Sequence, residues 1–322
     1  MSELHKFLFD GLPVRGMLVR LTDSWQEILK RRQAAGGYPV EVIHLLGEMT
    51  AAAALMQSNI KFNGALILQI FGDGPVKLAV AEVQPDLSLR ATATLTGSVD
   101  AGSTLSQLVN VNNQGRCAIT LDPKDKLPGQ QTYQGVVPLF GDQYEKIENL
   151  GEVLEHYMLQ SEQLDTKLSL AADGNVAAGL LIQRLPAKGQ DNIEGKLDSE
   201  ANEDQIGVNE DFKRIAMLVA TLKRDELLTL DADTILRRLF WEEPITRFEP
   251  LTPSFACSCS RERVANMLRS LGAEEIEGVI AERGKVGVTC EFCGAQYDFD
   301  PVDAAQIFTS QGSQQPPTTT VQ

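Results

Sequence analysis

Four of the five cysteines of this chain fall into two tight pairs near its C-terminal end, Cys257-Ser258-Cys259 and Cys290-Glu291-Phe292-Cys293. Four thiolates drawn together form a soft, tetrahedral donor set suited to Zn²⁺. Such a set dictates a small, cross-linked module rather than a stretch of ordinary core. Each pair is also close enough in sequence to close on itself as a disulfide, so the same sulfurs can hold a metal when reduced and release it when oxidised. Two Cys pairs a few tens of residues apart read as a zinc module. The first pair has one intervening residue where two to four are usual, and thirty residues separate the pairs. A stable disulfide framework is not the expectation, because the rest of the 322-residue chain supplies a single further cysteine and the start lacks the basic-then-apolar layout of a signal peptide.

Charge narrows what such a module does. The formal net charge is −15, and affinity for phosphate is supplied by Lys and Arg. Between Phe255 and Asp300 eight acids stand against five bases. A zinc centre with four thiolates adds roughly two more negative charges. No nucleic-acid partner is expected. With 43% apolar residues the chain can bury a sizeable core. No run approaches the ~18 apolar residues of a membrane span, so the expectation is a cytoplasmic protein with no membrane partner.

Along the chain, Pro39 precedes Val42, Leu45, Leu46, Met49, Ala53 and Met56, spaced as an amphipathic helix. Seven β-type runs follow: 65–71, 76–83, 89–95, 118–121, 135–140, 166–170 and 176–183. Turn residues between them imply a largely antiparallel sheet. Gly72-Asp73-Gly74 reads as a hairpin turn in which glycine supplies positive φ. It is no phosphate cradle, because no Gly-Lys-Ser/Thr follows. A further helix is expected over Tyr144 to Gln163. Lys188 to Glu210, with seven acids and two bases, reads as a solvated linker. Phe212, Ile215, Ala216, Val219 and Leu222 return to helical spacing. Asp233 is expected to cap a helix bearing Leu236, Leu239 and Phe240 that ends before Pro244. These two amphipathic helices need a surface to bury against, and the sharper reading is that they dock on the first domain and can be released. The polar stretch from Thr309 to Gln322 reads as a disordered tail.

The expected fold is therefore α+β, in four parts: a mixed, largely antiparallel core over 1–187, an acidic linker with two helices over 188–254, a zinc-binding redox-switch domain over 255–308, and the tail. Little else offers chemistry. His5, His44 and His156 are scattered, Cys117 opens a strand as a buried, inert thiol would, and no hydrolase, dinucleotide or nucleotide-loop motif is present.

The segment Phe255-Ala256-Cys257-Ser258-Cys259-Ser260 followed by Arg261-Glu262-Arg263 resembles the zinc-binding motif of the thirty-three-kilodalton heat-shock protein family, redox-activated holdase chaperones. Cys290-Glu291-Phe292-Cys293-Gly294 with Tyr297, Phe299 and Asp300 is similar to that family's closing motif. Leu12-Pro13-Val14-Arg15-Gly16, Tyr38-Pro39, Gly72-Asp73-Gly74-Pro75, Gln134-Gly135-Val136-Val137 and Ser161-Glu162-Gln163-Leu164 are similar to its N-terminal domain, and Asp225-Glu226-Leu227-Leu228 and Leu239-Phe240 to its linker helices. The resemblance implies that Cys257, Cys259, Cys290 and Cys293 hold one Zn²⁺ per chain in an inactive, reduced form. Oxidants such as hypochlorite, or peroxide with heat, would then form the disulfides Cys257–Cys259 and Cys290–Cys293 and expel the metal. The module and linker would unfold, the activated chain would dimerise, and it would capture unfolding client proteins without ATP. It implies a chaperone rather than an enzyme. The alternative is a thiol–disulfide oxidoreductase working through Cys290 and Cys293, weakened because that pair does not open a helix after a strand.

Overall fold

A computed structural model describes residues 1–33, 36–125, 132–185 and 209–309. The acidic linker through residue 208 and the tail beyond Thr309 lie outside the described residues. The chain divides into two compact units between Ala256 and Cys257.

The first unit is built on two sheets. One has the order β10-β1-β2-β9-β8, from Glu3–Phe9 (β1), Val14–Leu21 (β2), Thr166–Ala172 (β8), Ala177–Arg184 (β9) and the short Ile245–Arg247 (β10). The other has the order β11-β5-β4-β3-β6-β7, from Gly64–Phe71 (β3), Val76–Val83 (β4), Ser88–Leu95 (β5), Arg116–Pro123 (β6), Tyr133–Pro138 (β7) and the two-residue Ser254–Phe255 (β11). All pairings are antiparallel except β11 on β5. The seven strands expected from alternation are present. The first hairpin, β1–β2, was not anticipated; its signal is Gly11, whose φ of +78° favours glycine, between two apolar runs.

Between α1 (Asp23–Gln33) and the short α3 (Leu105–Val109) in the chain, helix α2 (Val40–Asn59) packs against strands of both sheets. The expected single apolar stripe understates it. Ala51, Ala52, Ala53 and Ala54 are all fully buried, because a helix between two apolar sheet faces must be apolar nearly all round. Gly47 is required by close approach: a Cβ there would stand 2.4 Å from that of Ala172.

Two local expectations are corrected. Gly72 and Gly74 do not adopt positive φ. They are small because the backbone crowds them, a Cβ on Gly72 meeting Val76 O at 2.0 Å and one on Gly74 meeting Leu108 O at 2.6 Å. The helix expected from Tyr144 starts later and is α4, Leu150–Glu162. Tyr144 itself has φ +63° in a turn where its N–H donates to Gly141 O, and Asn149 caps the helix by accepting from Gly151 N.

The outer face of the first sheet is covered by three helices where two were expected: α5 (Glu210–Ala220), α6 (Arg224–Thr229) and α7 (Ala232–Phe240). Asp231, not Asp233, caps α7: its carboxylate accepts from both Thr234 N and Thr234 Oγ1. Asp233 instead pairs with Arg247 at 2.6 Å. Phe212, Ile215, Val219, Ile235, Leu236 and Phe240 join Phe7, Phe9, Leu18, Leu180 and Ile182 in one apolar cluster. The ring of Phe240 stands edge-on to Phe9 at 4.9 Å. Arg20 donates to the carbonyls of Leu227 and Leu228 at the end of α6.

Beneath α6, Arg224 lies 3.7 Å from Glu48 of α2. Burial pushes the Glu48 carboxyl up to about 7 from an ordinary 4.5, against the pull of Arg224. A raised carboxyl binds its proton more tightly when folded. Its destabilising effect is therefore absent at pH 4.5, grows towards pH 7 and is complete above. Glu48→Gln should thus stabilise the first unit by about 2–3 kcal/mol at pH 8 and leave it unchanged near pH 4.5. Urea unfolding of both proteins at the two pH values measures this; equal stabilisation at both would assign the effect to packing.

Candidate metal centre

The second unit is a small αβ module. Helices α8 (Arg261–Leu271) and α9 (Ala273–Arg283) precede the hairpin β12 (Val286–Thr289) and β13 (Gln296–Phe299), and α10 (Pro301–Thr309) closes it. Its core is Leu268, Ile276, Val286, Phe299, Ala304 and Ile307. This core is mostly aliphatic; of the closing motif's aromatic residues Phe299 is fully buried while Tyr297 packs at the edge. Arg261 ties the module together: its guanidinium stacks 4.3 Å over the Phe299 ring, donates to Asp298 O and pairs with Asp303 at 2.7 Å.

The first cysteine pair lies immediately before α8, whose N-cap Ser260 accepts from Arg263 N. Arg263 reaches back to Ser258 O at 2.8 Å, fixing the Cys257–Cys259 segment. The second pair forms the turn between β12 and β13. There Gly294 N donates to Cys290 O and Cys290 N to Ala295 O, both at 2.8 Å, and Gly294 takes the φ of +71° that the tight turn needs. The C-x-x-C therefore sits in a hairpin and opens no helix.

All four sulfurs lie within 4.8 Å of one another. Cys257 and Cys290 approach to 3.7 Å, Cys259 and Cys293 to 3.3 Å. A tetrahedral site with metal–sulfur bonds of about 2.3 Å has sulfur–sulfur edges of about 3.8 Å. The donor set and its spacing fit a four-thiolate ion. In such an array every sulfur neighbours every other, and the close approaches between the pairs do not single out a disulfide partner.

Electrostatics fit the same reading. Burial pushes Cys259 up, but hydrogen bonds from Tyr297 Oη (3.1 Å) and the neighbouring thiols outweigh it and bring it down to about 7. Burial raises Cys293 to about 12, with its thiol neighbours adding to the rise, and burial also raises Cys290. Four thiolates this close repel one another, and a divalent cation is what allows them to coexist. Cys117 stands apart: it is fully buried on β6, and burial pushes it up to about 12. None of His5, His44 and His156 belongs to the cysteine cluster. Native, metal-free, reduced protein should therefore react at four thiols with a disulfide reagent, and at the fifth only after unfolding. Five fast thiols would place Cys117 on the surface.

A two-sheet core sheathed by helices is followed by a separate four-cysteine module able to bind a metal ion. Comparison with known proteins names the class more closely. The family model described as Hsp33 protein matches residues 2–300. The chain is 47% identical over 307 residues to the 33 kDa chaperonin of Chromobacterium violaceum, covering 95% of this chain and 94% of that one. It is 42% identical over 311 residues to that of Methylobacillus flagellatus, covering 96% and 95%. The crystal structure of the Thermotoga maritima 33 kDa chaperonin shares the fold at a TM-score of 0.71 and 20% identity, covering 95% of this chain and 98% of that one. The chain belongs to the Hsp33 family, a family of chaperones rather than enzymes. Among the described residues no helix is long and apolar enough to cross a membrane.

Proposed function

We propose that the protein is a redox-switched, ATP-independent holdase. The observation that carries this reading is the pairing of two features: four sulfurs within 4.8 Å of one another, and an apolar sheet face covered by three short amphipathic helices just upstream in the chain. In the reduced state Cys257, Cys259, Cys290 and Cys293 would hold one Zn²⁺, which keeps the sulfurs as thiolates at neutral pH. The thiolate is the species that oxidants attack. A sulfur of each pair is oxidised by a two-electron oxidant such as peroxide, its neighbour displaces the hydroxyl, and two waters leave per disulfide. The expected products are Cys257–Cys259 and Cys290–Cys293.

With its thiolates consumed the second unit loses its cross-link. The helices α5 to α7 are then freed, and the cluster of Phe7, Phe9, Leu18, Leu180 and Ile182 becomes available to unfolding proteins. The partners are unfolded clients and, once activated, a second copy of the chain; nucleic acid and membranes are not among them, and the compartment is the cytoplasm. The test is light scattering from heat-aggregating citrate synthase. The oxidised protein should suppress aggregation at near-equimolar ratio and the reduced, zinc-loaded protein should not. Equal suppression by both would make the cysteine centre structural only. Steady turnover in thiol-dependent reduction of insulin would instead support the oxidoreductase alternative, against which the hairpin setting of Cys290 and Cys293 already speaks.

A further inference from the structure

The two sheets differ on their outer faces. Helices α5 to α7 cover that of the first, whereas Phe71, Lys77, Arg116, Gln134 and Val136 at one end of the second are exposed. Inner residues of β3 to β7 alternate with an outer set, as strand geometry requires. Cross-strand pairs on the outer face are Phe71 with Leu78, Gln69 with Val80, Phe71 with Arg116, Gln69 with Ala118 and Ala118 with Val136. Where these pairs meet, Phe71 and Val136 are 46% and 51% exposed; the rest of the face is largely polar, with Glu82, Arg90, Thr92, Thr120 and Gln134. An antiparallel sheet facing water usually carries polar residues there; exposed large apolar side chains grouped at one end of it mark an interaction surface.

A basin of about 430 Å³ lies at one end of this face, lined by Phe71, Asp73, Lys77, Arg116, Gln134 and Val136 among others. It gathers the Gly72-Asp73-Gly74 and Gln134-Gly135-Val136 motifs, which neither the metal centre nor the helix sheath uses. Its charge is specific. Elsewhere on the sheet Arg90 is spent on Glu82 at 2.6 Å, but Lys77 and Arg116 have no carboxylate partner among the described residues. Asp73 shares the basin, yet one of its oxygens already accepts from Asn112 N and Gln114 N and the other is buried. On a chain of net charge −15, two uncommitted cations beside exposed apolar side chains form a local exception.

We propose that this face is a client platform, selective for extended apolar segments that carry an acidic residue. The apolar side chains would lie over Phe71 and Val136 and the carboxylate between Lys77 and Arg116. This rests on the holdase reading and deepens it by naming which segments are held. The charge selection also offsets the general repulsion that a strongly acidic chaperone exerts on acidic clients.

The test uses the oxidised full-length protein and two fluorescent, unstructured peptides, identical and Leu-rich except for a central Asp or a central Lys. The Asp peptide should bind about five- to tenfold more tightly at low salt, since two partly exposed ion pairs are individually weak, and the preference should fade at 1 M salt. Lys77→Glu with Arg116→Glu should reverse the preference, and Phe71→Ser with Val136→Ser should weaken both peptides. Equal affinities, or a preference that survives charge reversal, would overturn the platform. So would sedimentation showing that charge reversal dissolves a self-associated form while leaving peptide selection unchanged, because the face would then be a contact between copies. Aggregation suppression by the same oxidised sample keeps the two readings apart. If suppression holds without peptide selection, the platform alone fails; if suppression is absent, the holdase reading fails.

Discussion

Chelating the metal from the reduced protein should strip hydrogen-exchange protection from residues 257–309 and leave β1 to β9 protected. Among the described residues the core of the second unit gathers six buried apolar side chains, and two of those, Val286 and Ala304, are small. Small modules rarely hold themselves together on so little core. Metal binding in zinc-finger peptides contributes about 10–16 kcal/mol, comparable to or larger than the ~5–15 kcal/mol that stabilises a whole domain. The Arg261 contacts with Phe299, Asp298 and Asp303 are surface interactions worth at most about 1 kcal/mol each. They cannot replace the ion. The first unit has no such dependence, because α2 is buried between two sheets whose strands pair over most of their length. Hydrogen exchange with and without chelator, read by mass spectrometry, resolves the two units. Protection of Leu268 and Phe299 that survives metal removal would show a module stable on its own core, and would remove the motive force from the switch. Cys293→Ser should reproduce the effect of the chelator, whereas Cys117→Ser should still bind one ion per chain.

How much of this was legible in the residues follows from which forces act locally. Strand β3 alternates because one of its faces meets α2, so period-two patterning is written into Leu66, Leu68 and Ile70; β9, covered on both faces, is buried throughout. That Cys257, Cys259, Cys290 and Cys293 come together was legible for a related reason: chemistry that needs sulfur draws on one residue type, which announces itself. What failed depends on distant partners. Tyr144 lies in a helix-like pattern, but the bridge between Phe140 and Lys146 claims its backbone. Asp233 looks like a cap until Arg247 takes its carboxylate and Asp231 serves Thr234 instead. Gly72 and Gly74 suggest positive φ, while the structure needs them for clearance against Val76 and Leu108. Arg15 and Glu162, from two of the motifs resembling the family, sit along one cleft with Gln183 and Tyr133, a proximity no local pattern encodes.

Replacing Phe240 with alanine should turn on client capture in the reduced, metal-loaded protein. Phe240 is buried at the end of α7 and packs against both Phe7 and Phe9, at 5.9 and 4.9 Å between ring centres. Truncating a buried Phe costs about 3–5 kcal/mol, and the edge-on pairing with Phe9 adds to what is lost. The other anchors of the three helices are Phe212, Ile215 and Val219 from α5, Leu227 from α6, Ala232, Ile235, Leu236 and Leu239 from α7, and the hydrogen bonds of Arg20 to the Leu227 and Leu228 carbonyls. A deficit of that size falls on the helix sheath first, because the strands beneath retain their pairing and the α2 side of the core. Exchange should therefore quicken across residues 210–240 and not across β2 or β9, and aggregation suppression should appear without oxidant. Phe240→Leu, which keeps most of the apolar volume, should give a much smaller effect on both readouts. If the alanine variant frees residues 210–240 in exchange yet captures nothing while reduced, then uncovering Phe7, Phe9 and Leu180 is not what activates the chaperone. The client surface would then have to lie elsewhere, with the open face around Phe71 and Arg116 as the place to look.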